Sequence, residues 1–430
     1  MENFQNQPKQ GFFQSTTAKM IMVGLLTLVL LIPLFFVQDL ISERSQRQKE
    51  VVAETTSKWG ESVYFYGPIL KIPYKDPITN QVENAFFFPE ELSNVSNAEI
   101  KTPLQRSIYK SNVFTTKMQF KGSYVQPKFY KKNIPNENVF WDKATIIIRT
   151  TNLKSVNDEV KINFGSNSFT FEPVHNNQNN DSIESLETGY FKYNDLKNTN
   201  FNMSITYNGS KRISIVPIGK TTSAKMTSNW ASPNFNGSFI PNDKKITNKG
   251  FDATWKILHF NRPFSQENFE ALPELSKYAF AVDFITPVDE YQQNERASKY
   301  GFLVIGLTFL IFFLIQSISK ISIHIFQYCM IGIALIMFYT LLISITEHSS
   351  FSFAYAIAGI SVVALISLYS ISILKDKKFP TFIAISLSVL YTFIYVIIQL
   401  EDYALLVGSI GLFLILASVM YFSRKIEWNK

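Results

Sequence analysis

The sequence predicts an integral membrane α-helical protein of about six transmembrane helices, one near the N-terminus and five near the C-terminus, with a large β-rich, antiparallel sandwich-like extracytoplasmic domain between them. Three observations carry this reading. The apolar residues of the 430-residue chain fall in blocks, Met20–Val37 and Tyr300–Phe422, on either side of a polar segment rich in Asn, Ser, Thr and Lys. The cationic residues of the short loops all fall on one side of the expected spans. Inside the polar segment, apolar and polar residues alternate with period two.

The spans come first. A helix crosses ~30 Å of hydrocarbon with about 20 mostly apolar residues, because every backbone amide must be bonded within the segment. The windows that qualify are Met20–Val37, Tyr300–Ile318, Ile325–Ile345, Phe351–Leu374, Phe379–Leu400 and Tyr403–Phe422. The first could be a cleavable signal peptide, since Lys9 and Lys19 precede it. The stretch Val37-Gln38-Asp39-Leu40-Ile41 lacks the small residues of a cleavage site, which favours an uncleaved anchor.

Charge then orients the spans. Lys9 and Lys19, Lys320, the Lys375-Asp376-Lys377-Lys378 loop, and Arg424-Lys425 all fall on one side, whereas the alternate turns carry Glu347-His348 and Glu401-Asp402. By the positive-inside rule both termini are cytoplasmic. The domain expectation is therefore a cytoplasmic segment 1–19, an anchor 20–38, a helical stalk 39–60, a β-rich domain 61–299, a five-helix bundle 300–422 and a cytoplasmic tail 423–430.

The stalk rests on Ile41, Val51 and Val52 at loosely helical spacing among Glu43, Arg44, Arg47, Lys49 and Glu50, with no Gly or Pro until Gly60. Beyond it the period becomes two. Phe114, Thr116, Met118 and Phe120 alternate with polar residues up to Gly122-Ser123. Phe201, Met203, Ile205 and Tyr207 do the same up to Gly209-Ser210, and Phe251, Ala253, Trp255 and Ile257 repeat the pattern. Such alternation buries one face and wets the other. Shorter strands are expected at Ile69–Tyr74, Ala85–Phe88, Ala144–Thr150 and Phe280–Phe284, and an exposed loop at Asn176–Asp181. The paired Gly-Ser endings hint at an internal repeat, but turns alone account for them.

Composition limits function. The net charge of +7 comes without a basic block, which argues against nucleic acid. The only cysteine, Cys329, lies in an apolar window, so the polar domain has no disulfide and no thiolate ligand. The four histidines, His175, His259, His324 and His348, are far apart, and no metal-binding, nucleophile-elbow, phosphate-loop or dinucleotide motif is present. No catalytic residue, metal site or cofactor is expected.

Two polar sets remain. Glu347, His348, Gln399, Glu401 and Asp402 are all expected at the outer ends of spans, either as a shared functional cluster or as the solvated turns that tight connections need. Asp289, Glu295, Arg296 and Lys299 precede the second span and either couple the domain to the bundle or snorkel at the interface. Trp230 and Trp255 could line a ligand groove, although aromatics on alternating strands are more often core.

Several segments together resemble the CreD family over about Met20 to Trp428. They are Gly67-Pro68-Ile69-Leu70 with Pro73-Tyr74, Arg106-Ser107-Ile108-Tyr109, Trp230 with Pro233-Asn234-Phe235-Asn236-Gly237, and Gly250-Phe251 with Trp255. More specific are Val282-Asp283-Phe284 with Pro287-Val288-Asp289, then Tyr291, Glu295-Arg296-Ala297 and Lys299-Tyr300-Gly301. The likeness continues through His324, Gln327-Tyr328, Glu347-His348 and the run Gln399–Leu406. Ser107 departs from a usual glycine, and Ser232 from a common histidine, so no role of that histidine carries over.

The resemblance implies a bacterial inner-membrane protein of envelope integrity and stress tolerance, often found beside a two-component sensor system, with no established catalytic chemistry. Three readings stay open. One is a non-enzymatic envelope protein whose β-domain senses or binds periplasmic or cell-wall material or other envelope proteins. The second is a transporter or lipid-handling protein using the bundle, and the third a membrane enzyme using Glu347, Glu401 and Asp402. In each the lipid bilayer is a partner.

Overall fold

The computed structural model describes residues 16–106, 108–174, 183–193, 198–284, 290–319, 321, 323–374, 378–400 and 403–424. The chain forms two compact units, one from its two ends (up to Lys49 and from Val288) and one from Glu50–Pro287. The expected loop Asn176–Asp181 lies outside the described residues, as do His175, Lys320, Lys375 and Lys377.

The middle unit is built on one long sheet path. From one edge its strands run Asn234–Gly237, Phe280–Asp283, Arg212–Ile215, Val63–Lys75, Thr145–Thr150, Glu184–Thr188 and Asn167–Val174. The path continues through Lys161–Phe164, Asn198–Ser210, Val113–Val125, Glu91–Ile100, Thr221–Ser228, Gly250–Leu258 and Asp243–Thr247. Side chains far apart on this path meet. Phe65 stacks on Phe120 with ring centroids 4.1 Å apart, and Trp255 on Phe280 at 4.9 Å. The sheet thus folds over itself and its two halves share one apolar core.

The alternating runs supply that core as expected. Phe201, Met203, Ile205 and Tyr207 are buried, as are Phe114, Met118 and Phe120 across the antiparallel ladder that joins the two strands. Two features differ from the sequence reading. Pairing is not wholly antiparallel, since Val63–Phe65 runs parallel to Ile213–Ile215, and Glu91–Ala98 parallel to Thr221–Ser228. Nor does the Phe114 strand stop at Gly122-Ser123, because it continues to Val125. Gly122 is there for space: a Cβ would lie 2.1 Å from the Glu91 carbonyl oxygen and 2.7 Å from the Phe201 ring. The glycine marks close approach of a neighbouring strand rather than a turn.

The other unit is helical. Helix α1 (Thr16–Trp59) is continuous through Pro33, and its first part belongs to this unit. Then come α2 (Glu290–Lys299), α3 (Gly301–Ser319), α4 (Ile325–Thr346), α5 (Phe351–Leu374), α6 (Lys378–Gln399) and α7 (Ala404–Ser423). Six helices, all but α2, are long and apolar enough to cross a membrane. They flank the β-rich domain in sequence as one plus five; α3 to α7 match the expected windows within a residue, whereas the window Met20–Val37 lies inside the longer α1, which continues without a break to Trp59. Residues 290–299, grouped with the β-rich segment in the sequence reading, instead form a polar helix that clusters with the bundle.

Packing in the bundle follows helix order. α4 lies between α3 and α5, α6 packs on both α5 and α3, and α7 packs on α6. α1 enters through Leu30 and Leu34, both buried, which fit against Gly332 of α4 and Gly301 of α3. Small residues let helix backbones approach where no hydrophobic effect drives association. His324 starts α4 with reciprocal bonds: its Nδ1 accepts from the Phe326 amide at 3.2 Å, and its own amide donates to Gln327 Oε1 at 2.9 Å.

Candidate functional site

The polar face of α2 organises one end of the bundle. Tyr291, Gln293, Asn294, Ala297 and Ser298 are buried on it, whereas Arg296 and Lys299 are exposed and Glu295 is half-buried. The face packs against α3, α4, α5 and α6. It is small and amide-rich, so it can sit on helix ends without burying a charge.

Three contacts tie this end together. Gln38 of α1 donates through Nε2 to the Ser298 carbonyl at 2.9 Å, and Gln293 Nε2 donates to Gln399 Oε1 at 3.4 Å. Arg44 Nε lies 3.7 Å from Glu347 Oε1. Asn294 is fully buried; its Nδ2 donates to the Glu290 carbonyl at 2.9 Å, and its Oδ1 has no hydrogen-bond partner among the described residues. Both segments that carry the β unit in sequence, α1 before it and α2 after it, are thereby fastened to the ends of spans.

Of the residues singled out from sequence, Glu347 caps the C-terminus of α4 and reaches Arg44, and Gln399 ends α6 and reaches Gln293. His348 is exposed, with its amide bonded to the Ile345 carbonyl at 3.0 Å. Glu401, Asp402 and Asp289 lie outside the described residues. Glu347 and Gln399 are therefore clasped to different helices rather than to each other. Sequence reading missed Gln293, Asn294 and Ser298. The available signal was their helical spacing with Tyr291 and Ala297, but a polar face packed on polar helix ends gives no hydropathy contrast.

Among the described residues the β unit holds two buried charges. Asp283, 2% exposed, accepts from Arg212 Nε and from its Nη2 at 3.1 Å, and also from Asn236 Nδ2 at 3.2 Å and Asn234 Nδ2 at 3.4 Å. That carboxylate raises the Arg212 pKa above its usual value. Arg262, 5% exposed, donates to the carbonyls of Ile218 and Gly219 at 3.1 Å and of Phe264 at 3.0 Å, and to the Gln266 side chain. Burial pulls its pKa down to about 10. Trp255 is core, with Nε1 donating to the Phe239 carbonyl at 3.2 Å, and Trp230 packs at the margin of the same core. Among the described residues no group of His, Cys, Asp and Glu is arranged to hold a metal ion.

A family profile described as "Inner membrane protein CreD" matches residues 15–429. The chain belongs to the CreD family. The CreD inner membrane protein of Escherichia coli K12 is 28% identical over 420 residues, which cover 93% of this chain and 91% of that protein. The family description names an inner membrane protein and no reaction. With six membrane-length helices among the described residues, flanking a β-rich domain in sequence, this CreD-family chain has a lipid bilayer as its environment.

Two solved structures share weaker likeness with this CreD chain. A proposed nutrient-binding protein of Legionella pneumophila has TM-score 0.25 and 10% identity, over 57% of this chain and 80% of that one. An M1 zinc metallopeptidase of Deinococcus radiodurans has TM-score 0.21 and 8% identity, over 80% of this chain and 95% of that one. At these scores neither bears on fold or activity.

Proposed function

We propose that this CreD-family chain is a non-enzymatic protein of the bacterial inner membrane that supports envelope integrity. Both termini face the cytoplasm, and the β unit is a periplasmic module that senses or binds cell-wall material or another envelope protein. The observation that carries the reading is the clasp of α1 and α2 onto the helix ends through Gln38–Ser298, Arg44–Glu347 and Gln293–Gln399. Arg44–Glu347 and Gln293–Gln399 are long and partly exposed, and Gln38–Ser298 is a single neutral hydrogen bond, so each contributes only about 1 kcal/mol. Contacts of that strength hold α1 and α2, the segments that lead into and out of the β unit in sequence, yet yield to a load or ligand, which suits transmission better than rigid anchoring. The charge pattern supports the orientation: Lys19, Lys378 and Arg424 belong to one set of helix ends, and Glu347 and Gln399 to the other.

The test is a deletion strain assayed for dye permeability and for growth under detergent and cell-wall antibiotics. It is complemented by the full chain or by Glu347→Ala, Gln293→Leu and Gln399→Leu variants. Rescue by the full chain and reduced rescue by the variants, at equal membrane abundance, is the expected result. Full rescue by every variant removes the clasp from function, and a deletion without phenotype removes the envelope role. Alkaline-phosphatase fusions after Thr346 and after Leu374 check orientation: the first is expected to be active and the second inactive.

A further inference from the structure

One face of the β unit is left outside its core. In the strands Asn198–Ser210, Val113–Val125, Glu91–Ile100, Thr221–Ser228 and Gly250–Leu258 the buried alternates pack inward, and most of the residues between them are exposed or half-buried on the other side. Strand register stacks these outer residues into rows that cross the sheet. One row runs Asn202, Lys121, Ser93, Ser223 and Lys256. A second, four residues along the strands, runs Lys117, Asn97, Thr227, Asp252 and Lys245. Lys225 and Thr254 lie between the two.

The charge on this face is mostly cationic and mostly unspent. Lys225 is paired with Asp252 at 2.8 Å. Lys117, Lys121, Lys245 and Lys256 are exposed, and none of them has an ion pair or a side-chain hydrogen bond among the described residues. Strands lie about 4.8 Å apart and rise about 3.4 Å per residue, so Lys121 stands roughly 14 Å from both Lys256 and Lys117. Side chains standing off the sheet at that spacing do not share one small anion. They match a chain that carries anionic groups at intervals.

Between these lysines the face is concave. A groove of about 440 Å³ is lined by Ser93, Ser223, Thr254 and Lys256, with Asn242 and Asp243 where the chain enters the edge strand. Asn242 is fixed there: its amide donates to the Thr254 carbonyl at 2.8 Å, and its Oδ1 accepts from the Lys256 amide at 2.7 Å. Hydroxyl and amide groups both donate and accept, as sugar hydroxyls and acetamido groups require. The three strands under the groove are paired on both sides, so they offer no ladder to an extended peptide. Trp255 lines the groove but is buried in the core, so no exposed ring is there for a base to stack on.

We infer that this groove and the lysines around it bind the glycan of the cell wall, a polymer of hydroxyl- and amide-bearing sugars whose stem peptides carry free carboxylates. Charge complementarity selects an anionic chain, and the hydroxyl and amide lining selects a saccharide over an acidic protein segment. The inference rests on the periplasmic, cell-wall-binding reading of the β unit and names the surface that serves it.

The test is co-sedimentation of the detergent-solubilised full chain with purified peptidoglycan sacculi. The expected result is pelleting that rising salt releases. Lys121→Glu with Lys256→Glu is expected to weaken it about ten-fold, and Ser223→Trp, which fills the groove at unchanged charge, several-fold. Lys75→Glu, on a strand of the other half of the sheet, is expected to leave it unchanged. An equal loss with Lys75→Glu overturns the proposal, because net charge alone would then explain binding. Soluble muropeptides are expected to compete; competition as strong from lipopolysaccharide or polyglutamate overturns the assignment to wall glycan. The same variants are placed in the deletion strain. Absent pelleting with a deletion phenotype that the full chain rescues overturns the groove and leaves the envelope role standing. Lysine- and groove-dependent pelleting in a chain whose deletion has no phenotype supports the groove and removes the envelope role alone.

Discussion

Replacing Arg262 by Met tests whether a buried cation without an acidic partner holds the β unit together or merely burdens it. The guanidinium makes three backbone bonds, to Ile218, Gly219 and Phe264, and lies 4.0 Å over the Phe264 ring. Hydrogen bonds to a charged group contribute about 1.5–3 kcal/mol each, so their loss removes at least about 4.5 kcal/mol. Against this stands the desolvation relieved on removing the charge: a pKa lowered from 12.5 to about 10 corresponds to about 3 kcal/mol. Methionine keeps the apolar stem, and Gln266 Nε2 still reaches the Ile218 carbonyl at 3.3 Å and the Pro89 carbonyl at 2.9 Å. The Gly219 carbonyl keeps the Thr222 hydroxyl at 3.3 Å, whereas the Phe264 carbonyl loses the arginine and gains nothing. That one orphan costs a further ~1–3 kcal/mol, which sets the expected net loss at about 3 kcal/mol. For a unit of this size 1 kcal/mol corresponds to about 2–4 °C. Arg262→Met in the detergent-solubilised full chain should therefore lower the tryptophan-fluorescence Tm by about 6–12 °C. A Tm unchanged or raised would mean that desolvation outweighs the carbonyl bonds, and the argument would fail.

Three further outcomes follow from the same geometry. Gly122→Ala should cost about 3 kcal/mol, because the new Cβ meets a carbonyl oxygen that cannot turn away; a thermal midpoint within a degree of wild type would contradict the contact. Tyr66, Tyr124, Tyr193 and Tyr207 are buried, and burial pushes their pKa values up. Stability from such acids is complete below the unfolded value near about 10 and is lost as pH rises toward the folded values. On alkaline titration their ionisation should accompany loss of β-sheet circular dichroism, and full tyrosinate absorbance with the sheet intact would refute this. In the bundle, Tyr328 donates to Gln316 Oε1 at 2.9 Å. Tyr328→Phe should cost about 1 kcal/mol in a denaturing-detergent titration, and adding Gln316→Leu should restore part of it.

The legible part of the fold was the part with hydropathy contrast. Spans ending at Ile345 and Leu374 were bounded within a residue, and the faces of Phe201–Tyr207 and Phe251–Ile257 were assigned to the core, because lipid and core both select apolar side chains at a fixed period. Parallel pairing of Val63–Phe65 with Ile213–Ile215 was not legible, since strands so distant in sequence carry no local mark of their partner. The clasp failed for a different reason. Glu347 and Gln399 stood out as polar groups at span ends, but their partners Arg44 and Gln293 belong to helices whose polarity looked like solvation.

The residues that carry the family likeness have structural roles. Val282-Asp283-Phe284 and Asn234-Phe235-Asn236 resemble the family as separate segments, yet Asp283 accepts from both asparagines and from Arg212, so they form one lock at the sheet edge. Gly250 has φ 137° and its Cβ would lie 2.0 Å from the Ser228 carbonyl oxygen, while Trp255 in the same strand stacks on Phe280. Gln327 caps α4 and Tyr328 bridges to α3. Resemblance at these positions therefore testifies to the fold. At the clasp, Glu347 and Gln399 also carry the likeness, and their contacts with Arg44 and Gln293 lie at helix ends outside the apolar core.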